Sequence, residues 1–261
     1  MLSAEQKREW NERGFFIIRG FADEALCRAM LDRVVEITRL DARGGHVDNV
    51  VVMPEKKENS EAREPEEFIA KVFRLHRDSV FKEFVERKDL LDLISGIIGP
   101  EIDCFLSQFI FKNRGAMGQP WHQDSFYFPF DKTPQVGVWL AVTKATLENG
   151  CLHVVPGSHQ EPVHAHGKPR RPESLYGYME ILDYDMSSAV QVLMEPGDLL
   201  VFHSHLMHCS TDNESDGIRA AMVWHFTPAG TIDGTLERSG YKSPVNDFMP
   251  VRRVAQTESA R

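Results

Sequence analysis

"GDLLVFHSHLMHCSTDNESDGIRAAMVWHF", residues 197–226, decides how this chain is read. Pro196-Gly197-Asp198 is a turn signal, and "DLLVFHSH" after it is short and rich in β-branched and aromatic residues, as a strand is. "IRAAMVWHF" closes the stretch as a second strand of the same kind. Arg219 opens that second strand. A guanidinium buried among Ile218, Ala220, Ala221, Met222 and Val223 is costly unless an anion meets it. Between the two strands lie His203, His205 and His208. On an extended chain His208 and Ser210 share a face, while Cys209 looks the other way.

The same texture runs through the second half of the chain. "IDCFLSQFIFK", "VGVWLAVTKA", "CLHVV" and "AVQVLM" are further short strands, punctuated by Asn149-Gly150 and Pro156-Gly157. The first hundred residues read differently. Ser3 and Gln6 form a capping-box pattern before a short helix that stops near Gly14. "FFIIRGF" is a strand, and Leu26, Met30, Val34 and Ile37 recur at helical spacing between Asp23 and Leu40. Residues 41 to 67 are polar and read as a loop. Helical patterns follow around 79–86 and 88–98, with Asp78 as a helix-start residue. Helices first and strands after predict an α+β, mainly β fold whose core is a barrel or jelly roll. We expect a single domain over 1–261: a mainly helical part over 1–99, the β core over 100–228, and a loosely packed tail over 229–261. The irregular segment 157–190, with Pro162, Pro169 and Pro172, is long enough for a lid or binding loop.

The 261 residues carry a formal charge of -9, which argues against nucleic acid as a partner and gives no help in binding an anionic membrane surface. The N-terminal "MLSAEQKREW" lacks the apolar core of a secretory signal, and no apolar run approaches bilayer length. Cys27, Cys104, Cys151 and Cys209 are scattered without a CxxC pair, so we expect four reduced thiols in a cytoplasmic protein.

"QPWHQDSFYFPF", residues 119–130, supplies the other half of a site. If this run is extended, His122 and Asp124 point one way and Gln123 the opposite way. Alone, the pair reads more readily as a buried hydrogen-bonded couple. His46/Asp48 and His76/Asp78 repeat the pattern, the first in the polar loop and the second at a helix entrance. With His208 and Arg219 in order behind it, the pair reads as part of a site. Two histidines and one carboxylate form a facial triad that leaves open positions on an octahedral metal, the logic of non-haem iron(II) oxygenases. A 2-oxo acid fills two of those positions and dioxygen a third. A distal carboxylate on that acid would answer the need of Arg219, since guanidinium pairs with carboxylate bidentately. His203 and His205 are rivals for the third ligand; the spacing to Ser210 and Arg219 favours His208. His225 shares Arg219's face but stands about 20 Å further along the strand and reads as barrel-end structure. His164 and His166 read as solvated loop residues.

The chain here resembles the phytanoyl-CoA dioxygenase family of Fe(II)/2-oxoglutarate oxygenases. The likeness runs from "SQFIFK" at 107–112 through "WHQD" at 121–124 and "TLENGCLHVVPGSH" at 146–159 to "PGDLLVFHSHLMHCS" and Arg219, and "GFFIIRGF" looks like the family's opening strand. The resemblance implies a double-stranded β-helix core. It implies Fe(II) held by His122, Asp124 and His208, 2-oxoglutarate as cosubstrate with O2, and Arg219 with Ser210 on the cosubstrate carboxylate. Gln108 and Trp139 match positions that line the cosubstrate, and Lys71 matches a cosubstrate-contacting lysine of the helical part. Asp124 stands where halogenating relatives carry Gly or Ala, which favours hydroxylation.

The expected reaction is therefore hydroxylation of a small-molecule substrate, organic or acyl-type, with release of succinate and CO2. An isomerase or hydrolase on a cupin-type barrel would not need Arg219, and a non-catalytic ligand-binding barrel would keep the triad without turnover. Lys168, Arg170 and Arg171 lie close together in "HAHGKPRRPESLYGY". They read either as a solvated basic loop or as a lid over an anionic substrate group, with Tyr176 and Tyr178 packing across the mouth.

Overall fold

Ser3 begins the first helix through the expected capping box, accepting from the Gln6 N–H while the Gln6 side chain accepts from the Ser3 N–H. The helix α1 (Ala4–Arg13) ends at Gly14, whose φ of 81° is left-handed and suits a residue without a side chain. In this computed structural model residues 1–55, 63–171 and 177–254 are described. The strand β1 (Phe15–Ile18) leads to α2 (Glu24–Asp41), capped by Asp23 and buried along Cys27, Met30, Val34 and Ile37. Then come β2 (Val51–Pro54), β3 (Ile69–Phe73), α3 (Ser79–Val85) and α4 (Lys88–Ile98). The strands β4 (Ile102–Lys112), β5 (Val136–Ala141) and β6 (Leu152–Val154) follow, with the short helix α5 (Asp124–Tyr127) after β4. The remainder is β7 (His166–Gly167), β8 (Glu180–Ile181), β9 (Val190–Val192), β10 (Leu199–His203), β11 (His208–Ser210), β12 (Arg219–Pro228), α6 (Thr235–Ser239) and β13 (Met249–Arg252). No described helix is long and apolar enough to cross a membrane.

Eight strands make one sheet in the order β1-β10-β5-β12-β4-β3-β2, with β13 on β4, and β11-β6-β9 make a smaller one. This is a jelly-roll core. Strand alternation explains how it buries both faces. Ala220, Met222, Trp224 and Phe226 of β12 join Met30, Val34, Phe84, Leu90 and Ile94 in the large core under the helices. Phe84 stacks on Trp224 with centroids 4.5 Å apart. Ala221 and Val223 face the other way, into a second core with Trp139, Leu200 and Phe202 of the large sheet and Val154 and Val192 of the small one. Arg219 and His225 share that inward face.

Three expectations need correction. Residues 41 to 67 are not all loop: β2 lies there and pairs with β3, a strand of five buried residues that the sequence reading placed in a helical part. The tail is tied down, because β13 pairs with β4 and Phe248 stacks on Phe105 at 5.7 Å. Residues 255–261 lie outside the described residues. The run around His122 is no strand. It makes one isolated bridge and then turns into α5. The four cysteines are free and buried.

Asp78 does what a helix-start residue does. Its carboxylate accepts from the Val80 N–H at 3.3 Å and holds the Arg33 guanidinium at 2.8 and 3.0 Å, tying α3 to α2. We expect Asp78→Ala to lower the unfolding free energy by about 1–3 kcal/mol, from the lost cap and the unpaired arginine. Asp78→Asn should retain the cap and lose less. Urea unfolding measures both; equal midpoints for Asp78→Ala and the native chain would remove this role.

Candidate metal centre and anion pocket

His122 and His208 exchange main-chain hydrogen bonds of 2.9 and 3.0 Å, so their rings emerge together with centroids 4.1 Å apart. Each ring is oriented in the same way. Nδ1 of His122 lies 2.8 Å from the Pro120 carbonyl and Nδ1 of His208 2.9 Å from the Leu206 carbonyl. A carbonyl only accepts, so each Nδ1 carries the proton and each Nε2 keeps its lone pair. Asp124 Oδ1 stands 3.6 Å from Nε2 of His122 and 3.8 Å from Nε2 of His208. All three side chains are buried, and their donor atoms lie within 4.8 Å of one another, the separation a divalent ion can span.

The protonation states suit a metal. Burial, with His122 beside it, pushes His208 down to about 4, so the ring is neutral at pH 7. Burial alone would raise the Asp124 carboxyl. The surrounding His225, His208 and His122 side chains outweigh it and hold Asp124 well below the usual carboxylate range. His225 Nε2 sits 2.9 Å from Asp124 Oδ2. That corrects its reading as barrel-end structure: distance along β12 from Arg219 is not distance from the site, because the cavity runs along the strand. Gln123 faces away as alternation requires. Its side chain donates to the Pro162 and His205 carbonyls and accepts from the His164 N–H. His166 is not solvated either. It stacks on Phe126 at 4.0 Å, accepts from the Gln123 N–H, and burial pushes it down to about 4.

The rivals drop out by position. His203 and His205 pack on each other, and His203 packs on Trp10 and His159. His46/Asp48 is an exposed pair, and buried His76 contacts Ser107 and Asp247.

At the far end of the same cavity lies Arg219, fully buried on β12, its guanidinium 5.6 Å from the Trp139 ring. Among the described residues its Nε and Nη1 have no hydrogen-bond partner, and neither has Trp139 Nε1. Burial lowers Arg219 to about 10. Orphaned donors on a buried cation call for an anion with oxygen acceptors. Ser210, Gln108 and Lys71 line the same cavity. Lys71 reaches it from β3, opposite Ile110, with Nζ 3.3 Å from Gln119 Oε1 and 5.0 Å from the Tyr178 ring centroid; burial lowers it to about 8.

The residues that sequence reasoning missed are Lys112, Gln119 and His225. Lys112 Nζ donates to Ser210 Oγ at 2.8 Å and to the Thr211 carbonyl. Its signal was the alternation along β4, which puts Gln108, Ile110 and Lys112 on one face. Arg170 and Arg171 line an outer groove of about 610 Å³ that shares Met117, Gln119 and Ser210 with the inner cavity. Neither presents the open positive patch expected of it. Arg170 pairs with Glu180 and Arg171 bidentately with Asp212 at 2.9 Å, carboxylates that an acidic chain supplies close by. Lys168 is exposed. Tyr176 lies outside the described residues.

The phytanoyl-CoA dioxygenase (PhyH) family matches residues 10–221. A probable phytanoyl-CoA dioxygenase of Caenorhabditis elegans is 30% identical over 87% of this chain and 75% of its own length. The peroxisomal phytanoyl-CoA dioxygenase of Bos taurus is 29% identical over 94% and 76%. Among solved structures, EvdO2 of Micromonospora carbonacea var. aurantiaca, complexed with 2-oxoglutarate, shares the fold with a TM-score of 0.64. It is 21% identical, over 89% of this chain and 93% of that one.

Proposed function

This chain belongs to the phytanoyl-CoA dioxygenase family and is an Fe(II)- and 2-oxoglutarate-dependent dioxygenase, and we propose that it hydroxylates a small organic or acyl-type substrate. The observation that carries this reading is the two-ended cavity. One end offers two imidazoles and a carboxylate whose donor atoms lie within 4.8 Å of one another. The other offers a buried guanidinium with unpartnered donors.

In this reading His122, Asp124 and His208 hold the iron, and Arg219 with Ser210 holds the distal carboxylate of 2-oxoglutarate. Gln108, Trp139 and Lys71 line the space between. Iron(II) bound there supplies the redox chemistry that couples decarboxylation of 2-oxoglutarate, to succinate and CO2, with insertion of one atom of dioxygen into a substrate C–H bond. The chain does the rest. The Pro120 and Leu206 carbonyls keep both Nε2 lone pairs turned inward. His225 donates to Oδ2 of Asp124 and leaves Oδ1 for the metal. Trp139, Phe202 and Val223 wall the cavity and exclude water, so charged contacts there act through a low dielectric. A carboxylate at position 124 leaves no ligand position for a halide and supports hydroxylation.

The outer groove is of a size that takes small molecules, and it supports a route for the substrate. An anionic group on that substrate would meet Lys168 and exchange for Glu180 and Asp212 at Arg170 and Arg171. Four buried free thiols support a cytoplasmic setting.

Two outcomes test this reading. Equilibrium dialysis under argon should find about one Fe(II) per native chain, essentially none for His208→Ala, and near-native binding for His205→Ala. The reverse order would remove His208 from the site. Arg219→Ala should raise the Kd for 2-oxoglutarate by tens- to thousands-fold, about 2–5 kcal/mol, while Fe(II) affinity changes only a few-fold. Native cosubstrate affinity in this variant would take Arg219 out of the site.

A further inference from the structure

The hydroxyl of Ser210 has one proton and two lone pairs. Both lone pairs are taken. Lys112 Nζ donates to Ser210 Oγ from 2.8 Å, and the Gln119 main-chain N–H donates from 3.0 Å. Among the described residues no protein group accepts from this hydroxyl. Its proton is left to point into the cavity that Ser210 shares with Arg219. Arg219 Nε and Nη1 and Trp139 Nε1 are also donors without partners there. Around Arg219 this end of the cavity therefore gathers unmet donors.

Lys112 enforces that arrangement. An ammonium carries three protons and no lone pair, so it cannot accept. It lies opposite Arg219 in the β4–β12 register, is 4% exposed, and is anchored a second time on the Thr211 carbonyl. Space is made for it: a Cβ on Gly150 would stand 2.7 Å from Lys112 Cδ, and one on Gly118 would stand 1.9 Å from the Ser210 carbonyl oxygen. A second buried cation beside Arg219 is unfavourable on its own, which burial and Arg219 register by lowering the Lys112 ammonium well below its usual range. With an uncharged, non-donating side chain at 112, the Ser210 hydroxyl regains a free lone pair. It can then turn and accept from an N–H.

We propose that Lys112 is a positioning residue that fixes Ser210 as a donor, so that the pocket selects a distal carboxylate over a primary amide of the same shape. The proposal rests on the reading of this cavity as the 2-oxoglutarate site. A carboxylate accepts from every donor present, whereas an amide turns an NH2 toward at least one of them and leaves a buried donor unpaired.

The test uses the full chain with Mn(II), without turnover, and two unreactive analogues: N-oxalylglycine and its primary amide, N-oxalylglycinamide. Calorimetry gives the preference as the ratio of the two affinities. The native chain should prefer the carboxylate. Lys112→Met should lower that preference about tenfold, with Mn(II) affinity unchanged. Lys112→Leu, which likewise has no donor, should fall on the same side and serves if the Met variant does not fold. Lys112→Arg, which has donors only, should restore the native preference. In a Ser210→Ala background, Lys112→Met should leave the preference where Ser210→Ala put it. A further tenfold loss there would mean that Lys112 acts as a charge and not through Ser210, and would overturn the proposal. An unchanged preference in Lys112→Met would overturn it while leaving the cosubstrate reading intact. If the native chain binds neither analogue with Mn(II) present, the cosubstrate reading itself fails, and this inference with it.

Discussion

Two main-chain hydrogen bonds, between His122 and His208, are the constraint from which the site follows. They join the segment before α5 to β11 at one isolated bridge. Because the exchange is reciprocal, both Cα positions are fixed together, and neither ring can drift without breaking a buried backbone pair. Each imidazole then bonds the carbonyl two residues before it, so the same local geometry is used twice. Asp124 is delivered by the turn into α5 and stopped by His225. A metal site built this way has little freedom to spread.

The other end of the cavity is organised by unmet charge. Lys71, Lys112 and Arg219 are each buried, and burial lowers all three below their usual values. Asp124, buried to a similar degree, lies at the other end of their cavity. Such an imbalance is unfavourable without an anion and favourable with one. The fold accepts it because the surrounding strands are held elsewhere: Trp224, Phe226 and Met222 of β12 bury themselves under the helices on the opposite face. Packing on one side of the strand thus supports electrostatic strain on the other.

How much of this the sequence discloses follows from the range of each signal. His122, Asp124 and Ser210 are legible because alternation is a two-residue rule and needs no partner strand. Arg219 is legible because its apolar neighbours make a charge conspicuous. Lys112 is not. At the end of "FLSQFIFK" a lysine is easily taken for a strand terminus reaching for water; alternation with Gln108 is a weak signal against that, and the register with Arg219 shows that it turns inward. Lys71 was named, but its strand was not: "IAKVF" is five residues long, and β2, which pairs with it, sits in polar sequence. Alternation puts His225 on the face of Arg219, but its distance along the strand hides its contact with Asp124. What the sequence lacks in each case is the pairing of segments far apart in the chain. Gln123 illustrates the limit from the other side. Alternation turned it away from the metal, yet its three contacts to 162, 164 and 205 became visible only when the loop was folded over it.

The strand β12 also explains why the two ends of the site are served by long side chains. Six residues of extended chain separate Arg219 from His225, about 20 Å. A small dicarboxylate is much shorter than that. The gap closes from both directions. Arg219 extends its guanidinium into the cavity, and His225 reaches the metal end through the Asp124 carboxylate, which adds its own length. Val223 and Trp139, paired in register between them, contribute apolar walls and no charge. A lysine at 219 would offer similar reach but a single point of charge, whereas the planar guanidinium can meet both oxygens of a carboxylate at once. In the proposed function, the residue that opens the strand therefore sets the length and the polarity of the ligand that fits beneath it, and the hydroxyl of Ser210, which accepts from Lys112, would complete the requirement that this ligand end in acceptors.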